Sequence, residues 1–313
     1  MKKISIVTAC CNEQDNIEEL YSQIIFELNK FKDKYCYEII AIDNKSTDKT
    51  VDRLKEIASK DKNFKVILNS KNFGPLKSPF YAMQQSQGDC MIYLASDLQD
   101  PPSLIPQLIE KWEGGSKITV AIKNKSRESK IMWLLRQLFY KIVSLTENED
   151  SKLLENYTGY GLYDKKVVDL MKSTDDPNPY IKSFISDIGF EVEKIYFTQP
   201  HRKKGKSKYN LLKLYSDAMT IITKHSFFPI RLATFTGFIL SILSLLIAIV
   251  YLVLKIMLWD KYNLGMASML IGLFFFSAVQ LFFIGIIGEY IGAIYTRVDK
   301  KPLVVEEDRI NFD

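Results

Sequence analysis

The sequence predicts an α/β protein, built on a mostly parallel sheet with helices on both faces and followed by two membrane-spanning helices. Three observations carry that prediction. Short β-branched runs alternate with segments of helical periodicity. Polar residues gather where those runs end. After Arg231, two long stretches lose every charge.

The elements follow in chain order. "ISIVTAC" is short and β-branched, a strand rather than the apolar stretch of a signal peptide. "NIEELYSQIIFELNKF" spaces Ile17, Leu20, Ile24, Ile25 and Leu28 as one helical face. "YEIIAID" is a second buried strand. "NKSTDKTVDRLKEIASK" becomes a helix with Ser46 and Thr47 as cap candidates and Asp48 as a first-turn acid. "FKVILNS" is a third strand. "KNFGPLKSPFYAMQQSQGD" is a Gly/Pro turn leading into a helix, and "CMIYLAS" is a fourth strand.

Leu232 to Leu254 and Tyr262 to Gly288 carry no charged side chain, and each exceeds the roughly 20 residues that cross a bilayer. Lys224, Arg231, Arg297, Lys300 and Lys301 flank this hairpin, while the connecting loop has only Lys261 beside Asp260. Positive-inside asymmetry puts both termini in the cytoplasm. The domain division expected is 1–208 for the α/β domain, 209–231 for an amphipathic helix at the interface, 232–256 and 266–293 for the spans, and 294–313 for a tail. Glu289, near the end of the second span, is a functional candidate or a snorkelling partner of Arg297. Gly285, Gly288 and Gly292 allow close helix packing, within the chain or in a homo-oligomer.

Composition excludes several classes. The net charge of +5 is too mild to argue for nucleic acid. The four cysteines form no CxxC pair and only two histidines are present, so a zinc site is not expected. Reduced thiols in a cytosolic domain are the simplest reading. No GxGxxG or Walker loop offers a phosphate cradle.

Ligands of parallel sheets bind beyond the carboxyl ends of the strands. Asn12 and Glu13 follow strand one, Asp43 and Asn44 follow strand two, and Asp97 to Asp100 follow strand four. Asp97 and Gln99, two residues apart, suit a hard divalent ion that also holds substrate phosphates. Asp43 could accept hydrogen bonds from a base or ribose.

"SIVTACCNEQDNI", "EIIAIDNKSTDKT", "NFG", "DLQDPP", "GKSKY" and "GIIGEYIGAIYTRV" occur in an order that resembles the membrane-bound family 2 glycosyltransferases acting on polyprenyl phosphate, among them bactoprenol glucosyltransferases and dolichol-phosphate mannose synthases. The resemblance covers nearly the whole chain. It implies a GT-A (Rossmann-like) catalytic domain, a nucleotide-sugar donor such as a UDP-sugar, and Mg²⁺ or Mn²⁺. It also implies a polyprenyl (undecaprenyl) phosphate acceptor at a bacterial inner membrane. By resemblance, Ala9, Asn12, Glu13, Asp43 and Asn44 would bind the nucleotide, with Glu13 and Asp43 on the nucleoside. Asp97 and Gln99 would hold the metal and diphosphate, and Asp97, Gln99 and Asp100 would form the catalytic motif. Arg202, Ser207 and Lys208 would meet phosphate groups; attraction to anionic lipid is the alternative for that basic segment. Asp100 is either a base or the cap of the turn before Pro101 and Pro102.

The chain also departs from that family's pattern. Ala95 stands where a first acid is usual, Asn44 where a second acid follows Asp43, and Ala9 in place of a proline. Gly159, Tyr160 and Gly161 occupy a region where relatives carry an acid and an arginine. Two alternatives therefore stand beside the lipid-phosphate reading. One is transfer to a glycan hydroxyl, although no QxxRW-like segment is present. The other is an inactive membrane scaffold that keeps the fold.

Overall fold

In the computed structural model, the described residues are 1–124, 154, 156–200, 228–257, 266–299 and 301–312. They belong to two compact units, one built on a sheet and one on two long helices.

The sheet unit opens as the sequence predicts. Strand β1 (Lys2–Cys10), helix α1 (Ile17–Leu28), β2 (Tyr35–Asp43), α2 (Thr50–Lys60), β3 (Phe64–Asn69), α3 (Gly74–Gln84) and β4 (Cys90–Tyr93) alternate strictly. Then come α4 (Ile105–Glu113), β5 (Ile118–Lys123), β6 (Tyr157–Asp164), α5 (Lys165–Ser173), α6 (Ile181–Asp187) and β7 (Val192–Phe197). The eight-stranded order is β7-β5-β6-β4-β1-β2-β3-β8. β1 pairs in parallel with β2 and β4, β2 with β3, and β5 with β7. β6 runs antiparallel to both β4 and β5.

Strands covered on both faces read as near-continuous apolar runs. Ile4, Ile6, Val7, Ile39, Ile40, Ala41 and Ile42 are accordingly fully buried. Each such Ile contributes about 1.5–3 kcal/mol of transfer free energy. One face packs Leu20 and Ile24 of α1, Leu54 of α2, and Leu108 and Trp112 of α4. The other packs Phe80 and Met83 of α3, Val167 and Met171 of α5, and Ile185 of α6.

The last strand, β8 (Glu306–Ile310), comes from the segment expected as a tail. It pairs antiparallel with β3 and covers that edge of the sheet. The Asn311 side-chain amide donates to the carbonyls of Ala58 at 2.8 Å and Phe64 at 2.9 Å, pinning the strand's end.

The second unit contains α7 (Phe228–Met257) and α8 (Met266–Val298). Both run past the expected limits of 232–256 and 266–293. Among the described residues, one segment, Phe275–Tyr295, is long and apolar enough to cross a membrane; Leu232–Ser244 is a shorter apolar segment. Residues 209–227 of the expected interfacial helix lie outside the described residues.

Candidate active site

Parallel pairing brings the carboxyl ends of β2, β1 and β4 side by side. Each is followed by a non-glycine residue in left-handed backbone: Asn12 at φ 61°, Lys45 at φ 59° and Leu98 at φ 60°. Such conformations are rare for side chains with a Cβ and persist where surrounding structure over-determines them. Here the turns are stitched together.

The first two tips interlock. The Asn12 amide N–H donates to Ser46 Oγ at 2.8 Å, and Thr47 N–H donates to Asn12 Oδ1 at 2.7 Å. Glu13 N–H donates to Thr50 Oγ1 at 2.8 Å. Ser46 donates its N–H to Asp43 Oδ2 at 2.9 Å and its hydroxyl to Asp43 Oδ1. Ser46 and Thr47 thus serve the turns rather than capping α2, whose N-cap position is Lys49. Asp48 accepts the Thr50 N–H at 3.0 Å beside that helix start. Burial raises the Asp43 carboxyl above the ordinary range despite the Ser46 donors, and Asp48 adds to the rise.

Asn44 explains its own departure from an acid. Its amide donates to Asn72 Oδ1 at 3.0 Å and to the Gly74 carbonyl at 3.1 Å. Its oxygen accepts Phe73 N–H at 2.8 Å and Asn69 Nδ2 at 3.1 Å. An aspartate could accept but not donate. The residue holds the "NFG" turn at the start of α3.

The third tip is "YLASDLQDPP". Burial alternates along it: Tyr93, Ala95, Asp97 and Gln99 are half-buried, while Leu94, Ser96, Leu98 and Asp100 are buried. Ser96 Oγ donates to the Ala9 carbonyl at 2.8 Å, tying this tip to β1. Gln99 N–H donates to Asp97 Oδ1 at 3.2 Å. Asp100, 3% exposed, accepts Ala95 N–H on Oδ2 at 3.1 Å and the Thr158 hydroxyl on Oδ1 at 3.4 Å. Burial pushes its carboxyl up to about 6, against those hydrogen bonds and with a further push from Asp97.

The site residues expected from sequence therefore divide. Ala9, Asn12, Asp97 and Gln99 are half-buried. Glu13, Asp43, Asn44 and Asp100 are buried, at 8%, 2%, 6% and 3% exposure, and shape the turns from behind. Arg202, Ser207 and Lys208 lie outside the described residues.

The "YTGYG" region has structural reasons to lack an acid. Gly159 has φ +104°, a conformation that L side chains rarely adopt. A Cβ on Gly161 would stand 2.5 Å from the Thr119 carbonyl oxygen. Tyr160 is fully buried, and its hydroxyl donates to the Pro101 carbonyl at 2.7 Å. Sequence reading missed Tyr160, Thr158 and Ser96 as supports of the third tip. Their only local signal was hydroxyl content, and their partners lie up to 87 residues away.

Among the described residues, no three His, Cys, Asp or Glu gather as a metal cluster. Asp97 and Gln99 offer two hard oxygen donors on the half-buried side of one turn. That set fits a cation that keeps waters and takes substrate phosphates, not an all-protein cage.

The family model for glycosyl transferase family 2 matches residues 5–170, which contain all three tips. The chain belongs to glycosyl transferase family 2. It is a glycosyltransferase with a GT-A-like fold. A glycosyltransferase of Synechocystis sp., sll0501, is 32% identical over 98% of this chain and 95% of its own length. The SfII prophage-derived bactoprenol glucosyl transferase of Shigella flexneri is 30% identical over 96% of each chain. Among solved structures, glucosyl-3-phosphoglycerate synthase from Mycobacterium tuberculosis aligns with TM-score 0.49 at 18% identity, covering 71% of this chain and 76% of that one. That likeness is too remote to bear on substrate or metal.

Proposed function

We propose that this glycosyltransferase moves a sugar from a UDP-sugar to polyprenyl (undecaprenyl) phosphate at the cytoplasmic face of a bacterial inner membrane. The product would be an inverted polyprenyl-phosphate sugar for cell-surface glycan modification. The observation that carries this reading is the extent of the match to the bactoprenol glucosyl transferases. It runs over 96% of the chain, so it includes the apolar helices as well as the sheet unit.

In this reading an acceptor phosphate oxygen attacks the anomeric carbon while the bond to the diphosphate breaks and nucleoside diphosphate leaves. A phosphate acceptor is already anionic near neutral pH, so no protein base is required. Charge developing on the leaving group is the larger demand. Asp97 and Gln99 would hold Mg²⁺ or Mn²⁺, which when bound neutralises diphosphate charge. Ala9 and Asn12 would line the nucleotide side of the crevice, with the buried Glu13, Asp43 and Asn44 shaping it from behind. Arg202, Ser207 and Lys208 meet phosphates. Both apolar helices span the bilayer with the termini cytoplasmic, which keeps the chain where a lipid phosphate emerges.

The test is turnover by the full chain in detergent with polyprenyl phosphate, Mg²⁺ and a panel of nucleotide sugars. Release of nucleoside diphosphate that depends on the lipid supports the proposal. Release only with added oligosaccharide would replace the acceptor by a glycan hydroxyl. Ala95 favours a second reading, an inactive scaffold, and no release with any donor would favour it. Asp97→Ala is expected to abolish turnover and Asp100→Ala to reduce it less; the opposite ranking would overturn the metal assignment.

A further inference from the structure

Asp100 is the most deeply buried acid of the third strand tip. It sits outside the face that carries Asp97 and Gln99, because burial alternates through the turn and places Asp100 with Leu98 and Ser96. Both of its oxygens are engaged. Oδ2 accepts the amide of Ala95 and so closes the turn on itself, five residues back. Oδ1 accepts the hydroxyl of Thr158 on β6 and so fastens the turn to the neighbouring strand. Between these anchors, Leu98 adopts left-handed backbone with its side chain 8% exposed in the core. Next to them, Tyr160 holds the Pro101 carbonyl. The two half-buried donors are carried on a turn whose ends and middle are all tied inward.

We propose that Asp100 is a positioning residue: its carboxylate clamps the Ala95–Asp100 turn so that Asp97 and Gln99 face the donor diphosphate together. The inference rests on the metal and donor reading given above, and it assigns Asp100 no proton transfer. Partners that orient ligating side chains typically change metal affinity or activity about 10- to 100-fold when removed. The clamp matters more in this chain because Ala95 contributes no donor, leaving two side chains to define the site.

The experiment compares wild type, Asp100→Ala and Asp100→Asn as full chains in detergent. Hydrogen exchange of the 93–101 peptide without metal reads the turn, Mn²⁺ titration followed by electron paramagnetic resonance reads the donors, and kcat and donor KM are measured separately. Asparagine still accepts the Ala95 amide. Asp100→Asn is therefore expected to keep amide protection and Mn²⁺ affinity close to wild type. Asp100→Ala is expected to lose protection at 95–99, to bind Mn²⁺ about tenfold more weakly and to raise the donor KM. A folded Asp100→Ala with wild-type exchange would overturn the clamp. Asp100→Asn with intact exchange and Mn²⁺ affinity but no turnover would make Asp100 a reacting group instead. If Asp100→Ala does not fold, that Asn comparison still decides. Failure of wild type to bind Mn²⁺ would sink the metal reading, while the exchange data would still judge the clamp.

Discussion

The Asn44 side-chain amide donates to Asn72 Oδ1 at 3.0 Å, joining the tip of β2 to the turn that starts α3. The same side chain accepts Phe73 N–H and Asn69 Nδ2, so it donates and accepts at once. An acid here would set a carboxylate against the Asn72 oxygen and the Gly74 carbonyl. Asn44→Asp is expected to destabilise the sheet unit by about 2 kcal/mol, because a buried carboxylate would face two oxygen acceptors in place of the donor they now bind. Thermal melting in detergent checks this; an unchanged melting temperature would show that the turn is held otherwise.

Glu38 lies 1% exposed within β2. It accepts Ser5 Oγ at 2.6 Å, Gln87 N–H at 2.8 Å and Lys65 Nζ at 2.9 Å. Burial alone would raise its carboxyl, but these donors outweigh it and the net shift is downward. A folded pKa below the unfolded one stabilises above the unfolded value, about 4.3, and that stability is lost as pH falls through the folded value. Glu38→Gln should cost about 3 kcal/mol at pH 7, since Lys65 keeps a half-hidden charge without its partner. The melting difference between the two proteins should shrink below about pH 4. A difference independent of pH would refute the charge argument.

Asn311 pins the end of β8 through three carbonyl acceptors, those of Ala58, Asp61 and Phe64. Asn311→Ala is expected to cost about 2 kcal/mol, and hydrogen exchange should rise along β3 as its edge partner loosens. Exchange confined to residues 306–312 would show that β3 does not depend on the strand.

Ala95 shares the half-buried face with Asp97 and Gln99. Ala95→Asp adds a third oxygen donor there, and Mn²⁺ affinity should rise about tenfold with the added carboxylate. Titration of the metal alone measures this. Weaker Mn²⁺ binding would mean that the face does not converge on a cation.

Much of the fold was legible because it is local. The first four strands and their helices announce themselves by periodicity and turn residues, and they appear in order. The three polar tips were legible because ligands of a parallel sheet gather at one end of its strands. The antiparallel insertion of β6 between β4 and β5 was not legible, because "YTGYGLYD" carries no mark of its neighbours. β8 was hidden for the same reason: "EEDRI" looks like a charged tail until β3 supplies an edge to pair with.

The site separates along the same line. By itself the sequence determined which residue types stand at the strand ends, the apolar stretches after Arg231 and the identity of the family. The first two depend on neighbours within a few positions along the chain, and the third on the order of short motifs, which needs no contact between them. Only the tertiary structure decided which of the acids and amides are presented and which are buried supports. That division rests on hydrogen bonds between distant segments, such as Thr158 to Asp100 and Ser96 to Ala9, and on burial, which exists only once strands from remote parts of the chain lie side by side.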